Sequence, residues 1–183
     1  QYRDDADAFL QQLPARLGRF GLQLAAEKTR CLQFGRFARE SAYQRGEKPK
    51  EFTFLGFTHY CGKTKEGYFK VKRRTSRKKL GQSLRTFADW ARTARLRVRK
   101  GEMLRQAKVR VIGHLNYYAI TDNSEQCCRY VFYATRLLFK WLNRKSQRKA
   151  YTWASFRHAL GWVGWPTPSI RKDLKPGRRA EAH

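Results

Sequence analysis

Acidic residues, long apolar runs and paired cysteines are all scarce in this sequence. There are 14 Asp and Glu against 41 Lys and Arg, which leaves a formal net charge of +27 at pH 7. No run of 18 or more apolar residues occurs, so the sequence predicts no bilayer-spanning helix. The cations are spread over almost the whole chain and are not collected on one amphipathic helix, which argues against a membrane surface as partner.

The four cysteines fit neither a disulfide framework nor a zinc site. A site built from Cys31, His59 and Cys61 would lack any CxxC pair. We therefore expect reduced thiols and a cytoplasmic, bacterial-type location. Because the chain begins at Gln1, with neither an initiator Met nor a signal peptide, we also expect that it has been clipped or that its gene model is incomplete.

The excess of positive charge is the strongest functional signal in the composition. Self-repulsion destabilises a compact state unless a polyanion neutralises it, and each Lys or Arg near a phosphate releases a condensed counterion. With 41% hydrophobic and 14% aromatic residues, the chain can still build a core. We therefore expect a folded protein that binds nucleic acid, and RNA before duplex DNA. A ribosome-like or histone-like structural binder would need the same charge.

The first 72 residues have the pattern of a small α+β region. Apolar residues at helical spacing predict a helix over 4–20, which Pro14 should kink or divide. Alternating apolar residues predict short strands at 22–24, 31–34, 52–57 and 68–71. A turn at 62–67 joins the last two strands into a hairpin, and the polar stretch 36–50 predicts a loop.

Beyond residue 72 the apolar spacing changes to about 3.6, as in helices. Helices are predicted over 76–98, 102–120, 124–142 and, more briefly, 153–160. The cluster Asp122–Ser124 should cap the third of them. From Pro166 onward there is little to bury, which predicts a flexible basic tail.

Two cationic clusters are the main candidates for contact with RNA phosphates. The first follows the predicted strands and contains no acid: Lys70, Lys72, Arg73, Arg74, Arg77, Lys78 and Lys79. In the second, cations alternate with amides, hydroxyls and aromatics: Arg144, Lys145, Gln147, Arg148, Lys149 and Tyr151. The tryptophans that flank the second cluster, Trp141 and Trp153, are interpreted as core anchors. A lone His114 is interpreted as a polar residue with satisfied hydrogen bonds and not as a catalyst.

The segment Tyr2–Asp5 has the Tyr-x-Asp-Asp form with which polymerases hold two metal ions. Those aspartates need a tight turn between apolar strands, so that the carboxylates converge on the metals. Here the dipeptide runs directly into a helical pattern, and nothing apolar precedes it. We therefore interpret Asp4 and Asp5 as residues that cap a helix.

Several motifs, in order, resemble those of group II intron reverse transcriptases. Gly21–Arg30 and Phe54–Phe57 are similar to the last palm motifs of that family. Gly113–Tyr118 and Trp141–Gln147 resemble its thumb, or maturase-specific domain. The resemblance covers about residues 1–165.

The resemblance implies an α+β fold with three divisions. Residues 1–72 would be the C-terminal part of the palm, a partial antiparallel sheet with a helix. Residues 73–165 would be a three-helix thumb bundle, and 166–183 a basic flexible tail. The resemblance also places Lys28 near the active-site floor, and Asn116 and Tyr117 within the thumb, where we take them as candidate RNA contacts.

The family's activity implies a protein of a mobile element that copies RNA into DNA and assists its intron RNA in folding and splicing. The implied partner is the group II intron RNA or an RNA template–primer duplex. Mg²⁺ serves the complete family enzyme, but we expect this chain to lack the metal-binding turn, the fingers and the earlier palm aspartate. No catalytic residue and no cofactor are therefore assigned to it.

These observations leave three hypotheses. The leading one is an RNA-binding maturase module. The alternative is half of a split RNA-directed DNA polymerase, active when complemented by its N-terminal half, and it predicts an exposed apolar edge from Leu22 to Phe34. The third is a degenerate product with residual non-specific affinity for RNA.

Overall fold

A computed structural model describes residues 3–144 and 150–169 of the chain. The helices are α1 (Arg3–Gly18), α2 (Ala38–Gln44), α3 (Arg77–Arg97), α4 (Lys100–Tyr118), α5 (Ser124–Asn143) and α6 (Trp153–Trp162). The strands are β1 (Phe52–Phe54), β2 (Phe57–Lys63) and β3 (Phe69–Thr75), and they form one antiparallel sheet in the order β1-β2-β3. The predicted α+β class is confirmed.

The chain forms two compact units. Of the described residues, the first contains those up to 51 together with 61–71, and the second contains 52–60 and those from 72 onward. The predicted palm, thumb and tail divisions at 1–72, 73–165 and 166–183 stay predictions. Most of the tail, from residue 170, lies outside the described residues.

In the first unit the helix predicted over 4–20 is present as α1, whereas two of the predicted strands are wrong. α1 runs through Pro14 without being divided, and Pro14 is exposed. The strands predicted at 22–24 and 31–34 are wrong: that stretch is irregular apart from a short 3₁₀ helix, Ala26–Lys28. Alternation alone does not make a strand, because its backbone groups need a paired neighbour.

The loop predicted over 36–50 contains α2. Its two buried residues, Ala38 and Ala42, are four positions apart and therefore lie on the same helix face. Two alanines among polar residues are a weak apolar signal, which is why the sequence pattern did not reveal this helix.

The strand predicted over 52–57 is two strands joined by a tight turn. Phe54 pairs with Phe57, and the two residues between them, Leu55 and Gly56, have φ of 48° and 82°. Positive φ at both central positions is typical of the type I′ turn, one of the two common two-residue hairpin turns. At Gly56 a Cβ atom would lie 2.9 Å from the hydroxyl oxygen of Tyr118, so the position excludes larger residues. The one predicted hairpin, with its turn at 62–67, is present and is formed by β2 and β3.

The core of the second unit is built by α3, α4, α5 and α6, and all four helices were predicted. Alanines at 91, 94, 107 and 134 let the helices approach closely, since each is at most 6% exposed. The largest fully buried side chains of the core are Phe156, Met103, Leu104, Leu138, Leu142 and Val111. This packing fixes the backbone from which the cationic side chains project.

Candidate nucleic-acid interface

The passage from β3 to α3 is anchored by one buried amide, that of Asn123. Its Oδ1 accepts a hydrogen bond from the backbone N–H of Thr75 (2.7 Å), and its Nδ2 donates to the Thr75 hydroxyl and to the carbonyl oxygen of Tyr118 (2.8 Å each). Asn123 is 1% exposed. It was predicted to cap α5, but its side chain makes no capping bond, because the amide is committed to Thr75 and Tyr118. The end of β3 therefore has a fixed position.

Immediately after this anchor, α3 begins. The hydroxyl of Ser76 accepts a hydrogen bond from the backbone N–H of Lys79, which is the ordinary N-cap interaction. The first three residues of the helix are Arg77, Lys78 and Lys79, and all three are exposed. Three of the seven cations of the predicted cluster are thus displayed on the first turn of α3.

Four exposed cations of this cluster, Arg73, Arg77, Lys78 and Lys79, pair with no acid in the described part of the chain. Arg73 and Arg74 are also exposed on β3, whereas Lys72 is half-buried. In the described part of the chain, ion pairs within 4 Å form elsewhere, and no acidic group pairs in this way with Arg73 or with the three first-turn cations of α3. The charge of Arg73, Arg77, Lys78 and Lys79 is therefore available to an external anion.

The first turn of α3 also differs from those of the other long helices. The peptide dipoles of a helix favour negative charge at its N-terminus and disfavour positive charge there. α1, α4 and α5 follow this rule, with Asp4 and Asp5, Glu102 and Glu125 in their first turns. The first turn of α3 has three cations and no acid. The stability of the helix therefore does not favour three cations in its first turn.

A cavity of about 390 Å³ lies beside the start of α3. Arg74 and Arg77 line it, as does Arg129, which the sequence did not single out. The guanidinium group of Arg74 lies 4.9 Å from the centre of the Tyr60 ring. Arg129 pairs with Glu125 at 3.4 Å, so one wall of the cavity is already neutralised. Asp122 also lines the cavity, and Arg77 contributes a cation that pairs with no acid in the described part of the chain.

Near the C-terminal end of α4, the ring of Tyr117 is partly committed to the fold. Its hydroxyl donates to the backbone carbonyl of Leu55 (2.9 Å), and its ring stacks on Phe57 with centroids 5.7 Å apart. The side chain is still 53% exposed, and the neighbouring Asn116 is exposed as well. Tyr117 therefore offers an aromatic surface held in a fixed orientation.

His114 lies deeper in α4 and stacks on Tyr130, with ring centroids 3.5 Å apart. Burial lowers the pKa of His114 to about 4 and raises the pKa of Tyr130 to about 12, so both rings are neutral at pH 7. His114 was expected to have satisfied hydrogen bonds, but its Nε2 is buried without a partner. The two rings border a cavity of about 420 Å³, next to the cations Lys79 and Arg110.

The second predicted cluster is only partly described. Lys145, Gln147, Arg148 and Lys149 lie outside the described residues. The exposed Arg144 has its guanidinium group 5.6 Å from the centre of the Trp141 ring. Tyr151 is half-buried, and its backbone exchanges two hydrogen bonds with the amide of Asn143 (2.7 and 3.1 Å). Tyr151 is thus held mainly by packing and by its backbone.

The flanking tryptophans differ from each other. Trp141 packs against the core, as expected, and two cations that the sequence pattern did not connect with it, Arg95 and Lys140, also lie near its ring. Trp153 is 45% exposed and stacks one ring face on Phe139, with centroids 3.9 Å apart. Trp153 is therefore more exposed than its interpretation as a core anchor implied.

The remaining predicted contacts belong to the first unit. Lys28 is exposed at the end of the 3₁₀ helix, and Lys70 is half-buried on β3. Asp4 and Asp5 were interpreted as helix caps; they lie in the first turn of α1, where negative charge is favourable, but α1 begins at Arg3, so they are inside the helix and not at the cap position.

Over residues 3–144 and 150–169, no three His, Cys, Asp or Glu side chains are grouped so that they could hold a metal ion, and Cys31, His59 and Cys61 form no zinc site. None of the described helices is long and apolar enough to cross a membrane. Comparisons with models of known protein families, with curated proteins and with solved structures find no match.

Proposed function

We propose that this chain is an RNA-binding maturase module that assists a group II intron RNA in folding and splicing and that also grips an RNA template–primer duplex. One observation carries the proposal: α3 begins with three exposed cations that no acid in the described part of the chain neutralises. A surface that violates the usual charge preference of a helix end is expected where function requires it. The choice of a group II intron RNA comes from the resemblance of the ordered motifs to those of group II intron reverse transcriptases.

The mechanism needs no bond to be broken by the protein. Arg73, Arg77 and their neighbours would neutralise phosphates that approach one another as the RNA folds, and release of counterions would favour the bound state. Tyr117, whose ring is fixed but half exposed, would stack on an unpaired base. The proposal includes a cytosolic location, where such an RNA is made and where free thiols stay reduced.

The test compares binding to the intron RNA adjacent to the gene with binding to a scrambled RNA of equal length, over a series of salt concentrations. The proposal predicts tighter binding to the intron RNA, and predicts that this preference persists at high salt. Equal affinities that fall together with salt would overturn it, because they would leave non-specific attraction alone.

A second candidate function, half of a split RNA-directed DNA polymerase, is favoured by the apolar surface of the first unit. Phe20 and Leu22 are 75% and 57% exposed, although the exposed edge was expected to extend over 22–34 as strands. Apolar side chains exposed in this way fit a surface that another polypeptide covers. Mixing this chain with a polypeptide that carries the fingers and the rest of the palm should then restore primer extension. Absence of extension from the mixture would argue against it.

A further inference from the structure

A group of three cations surrounds the indole ring of Trp141, and we call it the Trp141 cluster. The guanidinium carbons of Arg95 and Arg144 lie 5.1 and 5.6 Å from the ring centre, and the ammonium nitrogen of Lys140 lies 5.3 Å from it. All three are within the range at which a ring attracts a cation. A single ring thus gathers three positive charges.

The Trp141 cluster is held in place by the fold. Trp141 packs against the core of the second unit, and Arg95 donates a hydrogen bond from Nη1 to the backbone carbonyl of Arg144. Among the described residues, no acidic group lies within 4 Å of any of the three cations. One ring cannot offset the mutual repulsion of three charges, whereas a bound phosphate would.

The position of the Trp141 cluster relative to the first turn of α3 is fixed by one helix. Arg77 begins α3, and Arg95 lies 18 positions later in its last turn. With a rise of about 1.5 Å per residue, the two arginines are about 27 Å apart along the helix axis. A helical nucleic-acid strand advances about 3.4 Å per nucleotide, so about eight nucleotides would span this distance.

From this spacing we propose that the Trp141 cluster is a second phosphate-binding site and that one RNA strand bridges it and the first turn of α3. The inference rests on the proposed RNA-binding function. It adds the location of a second binding site and a minimum length, about eight nucleotides, for an RNA that reaches both sites. An RNA long enough to reach both sites gains affinity from each, because binding at the second becomes intramolecular. A shorter RNA occupies one site or the other.

Three double variants, each of which removes two positive charges, test the proposal. K140Q/R144Q removes two cations of the Trp141 cluster and leaves the backbone carbonyl that Arg95 bonds. R77Q/K78Q removes two cations from the start of α3. R92Q/R105Q is the matched control, because both arginines are exposed and already pair with acids, Asp89 and Glu102, at 3.6 Å. The single variant K140Q serves if K140Q/R144Q does not fold.

Binding of oligo(A) of 4 and of 16 nucleotides is then measured by anisotropy over a salt series. A tetramer is too short to reach both sites. For the 16-mer, K140Q/R144Q should flatten the slope of log K against log salt by about 1.4, since each lost contact with a single strand removes about 0.7. If affinities converge at 1 M salt, this corresponds to about 25-fold weaker binding at 0.1 M. For the tetramer the loss should be about twofold, because one of two equivalent sites remains.

Two results would overturn the inference and leave the proposed function intact. In one, K140Q/R144Q binds the 16-mer like R92Q/R105Q while R77Q/K78Q binds it more weakly, so the Trp141 cluster takes no part. In the other, K140Q/R144Q weakens the tetramer and the 16-mer equally, so the sites are not bridged. If neither variant binds the 16-mer more weakly than the control, the proposed function fails with the inference.

Discussion

Two adjacent cysteines show how strongly a single position on a helix determines chemistry. Cys127 is 1% exposed, and burial raises the pKa of its thiol to about 11, whereas Cys128 is exposed. Since the thiolate is the reactive form, an alkylating reagent at pH 8 should modify Cys128 at least a hundredfold faster than Cys127. Mass spectrometry of peptides after timed labelling measures both rates in one sample. Equal rates would show that Cys127 is not buried against the core.

His114 should make the stability of the fold depend on pH. Its pKa is about 4 in the folded protein and 6.5 in an ordinary environment, so between these values the unfolded chain binds a proton that the folded chain does not. The contribution of neutral His114 is therefore complete above pH 6.5 and is lost as the pH falls toward 4. With its partial exposure taken into account, the loss should be about 2 kcal/mol.

The variant H114F keeps a ring in place and removes the titration. Urea unfolding of the wild type and of H114F at pH 7 and pH 4.5 should show a smaller decrease for the variant. H158Q is the control, because His158 is an exposed histidine of α6. If H114F loses as much stability between the two pH values as H158Q does, this account of His114 is wrong.

At the scale of elements, the junction of β3, α4 and α5 depends on the amide of Asn123. Replacing it with Leu would leave the N–H and hydroxyl of Thr75 and the carbonyl of Tyr118 without these partners in a buried place. Each buried group left unpaired costs about 1–3 kcal/mol, so N123L should lower the free energy of unfolding by at least about 3 kcal/mol.

Asn143 provides the comparison, because its amide makes two bonds to the backbone of Tyr151 in a partly buried place. N143L should therefore cost less than N123L in the same denaturant titration. An equal or larger loss for N143L would contradict the importance of the junction.

The elements also show what sequence patterns can and cannot reveal. The helices of the second unit were predictable, because their apolar residues recur at helical spacing and face a shared core. The strands predicted at 22–24 and 31–34 were not found, since alternation says nothing about whether a pairing partner exists. The turn at Leu55–Gly56 was missed because Leu-Gly is not a usual hairpin pair, and the closeness of the Tyr118 hydroxyl to Gly56 arises from tertiary packing that the local sequence does not show.

For the candidate site, the run of cations from 70 to 79 was visible in the sequence as charge without acids. The pattern placed the start of α3 one residue early, at 76, but ended the strand at 71, four residues before β3 ends, so it did not show which cations lie on the strand and which on the helix. Arg95, by contrast, approaches Trp141 through tertiary packing of α3 on α5, and the sequence contains no local sign of this. The sequence therefore shows where cationic residues are concentrated, and the fold determines which of them lie close together in space.

At the scale of the whole molecule, a charge of +27 distinguishes this chain more than any single element does. Net charge alone attracts any polyanion and confers no choice of partner. In our account the choice comes from cations fixed on rigid helices, at the start of α3 and around Trp141. The distribution of charge, and not its total, should therefore control binding.

The most direct measurement compares R77Q/K78Q with R92Q/R105Q, which have the same net charge, in binding to single-stranded RNA over a salt series and in thermal unfolding. We predict that R77Q/K78Q flattens the salt slope by about 1.4 and raises the free energy of unfolding by up to about 1 kcal/mol, since positive charge at that helix end opposes the dipole. The control should keep the wild-type slope. Equal slopes for the two variants would contradict the claim that the first turn of α3 binds RNA.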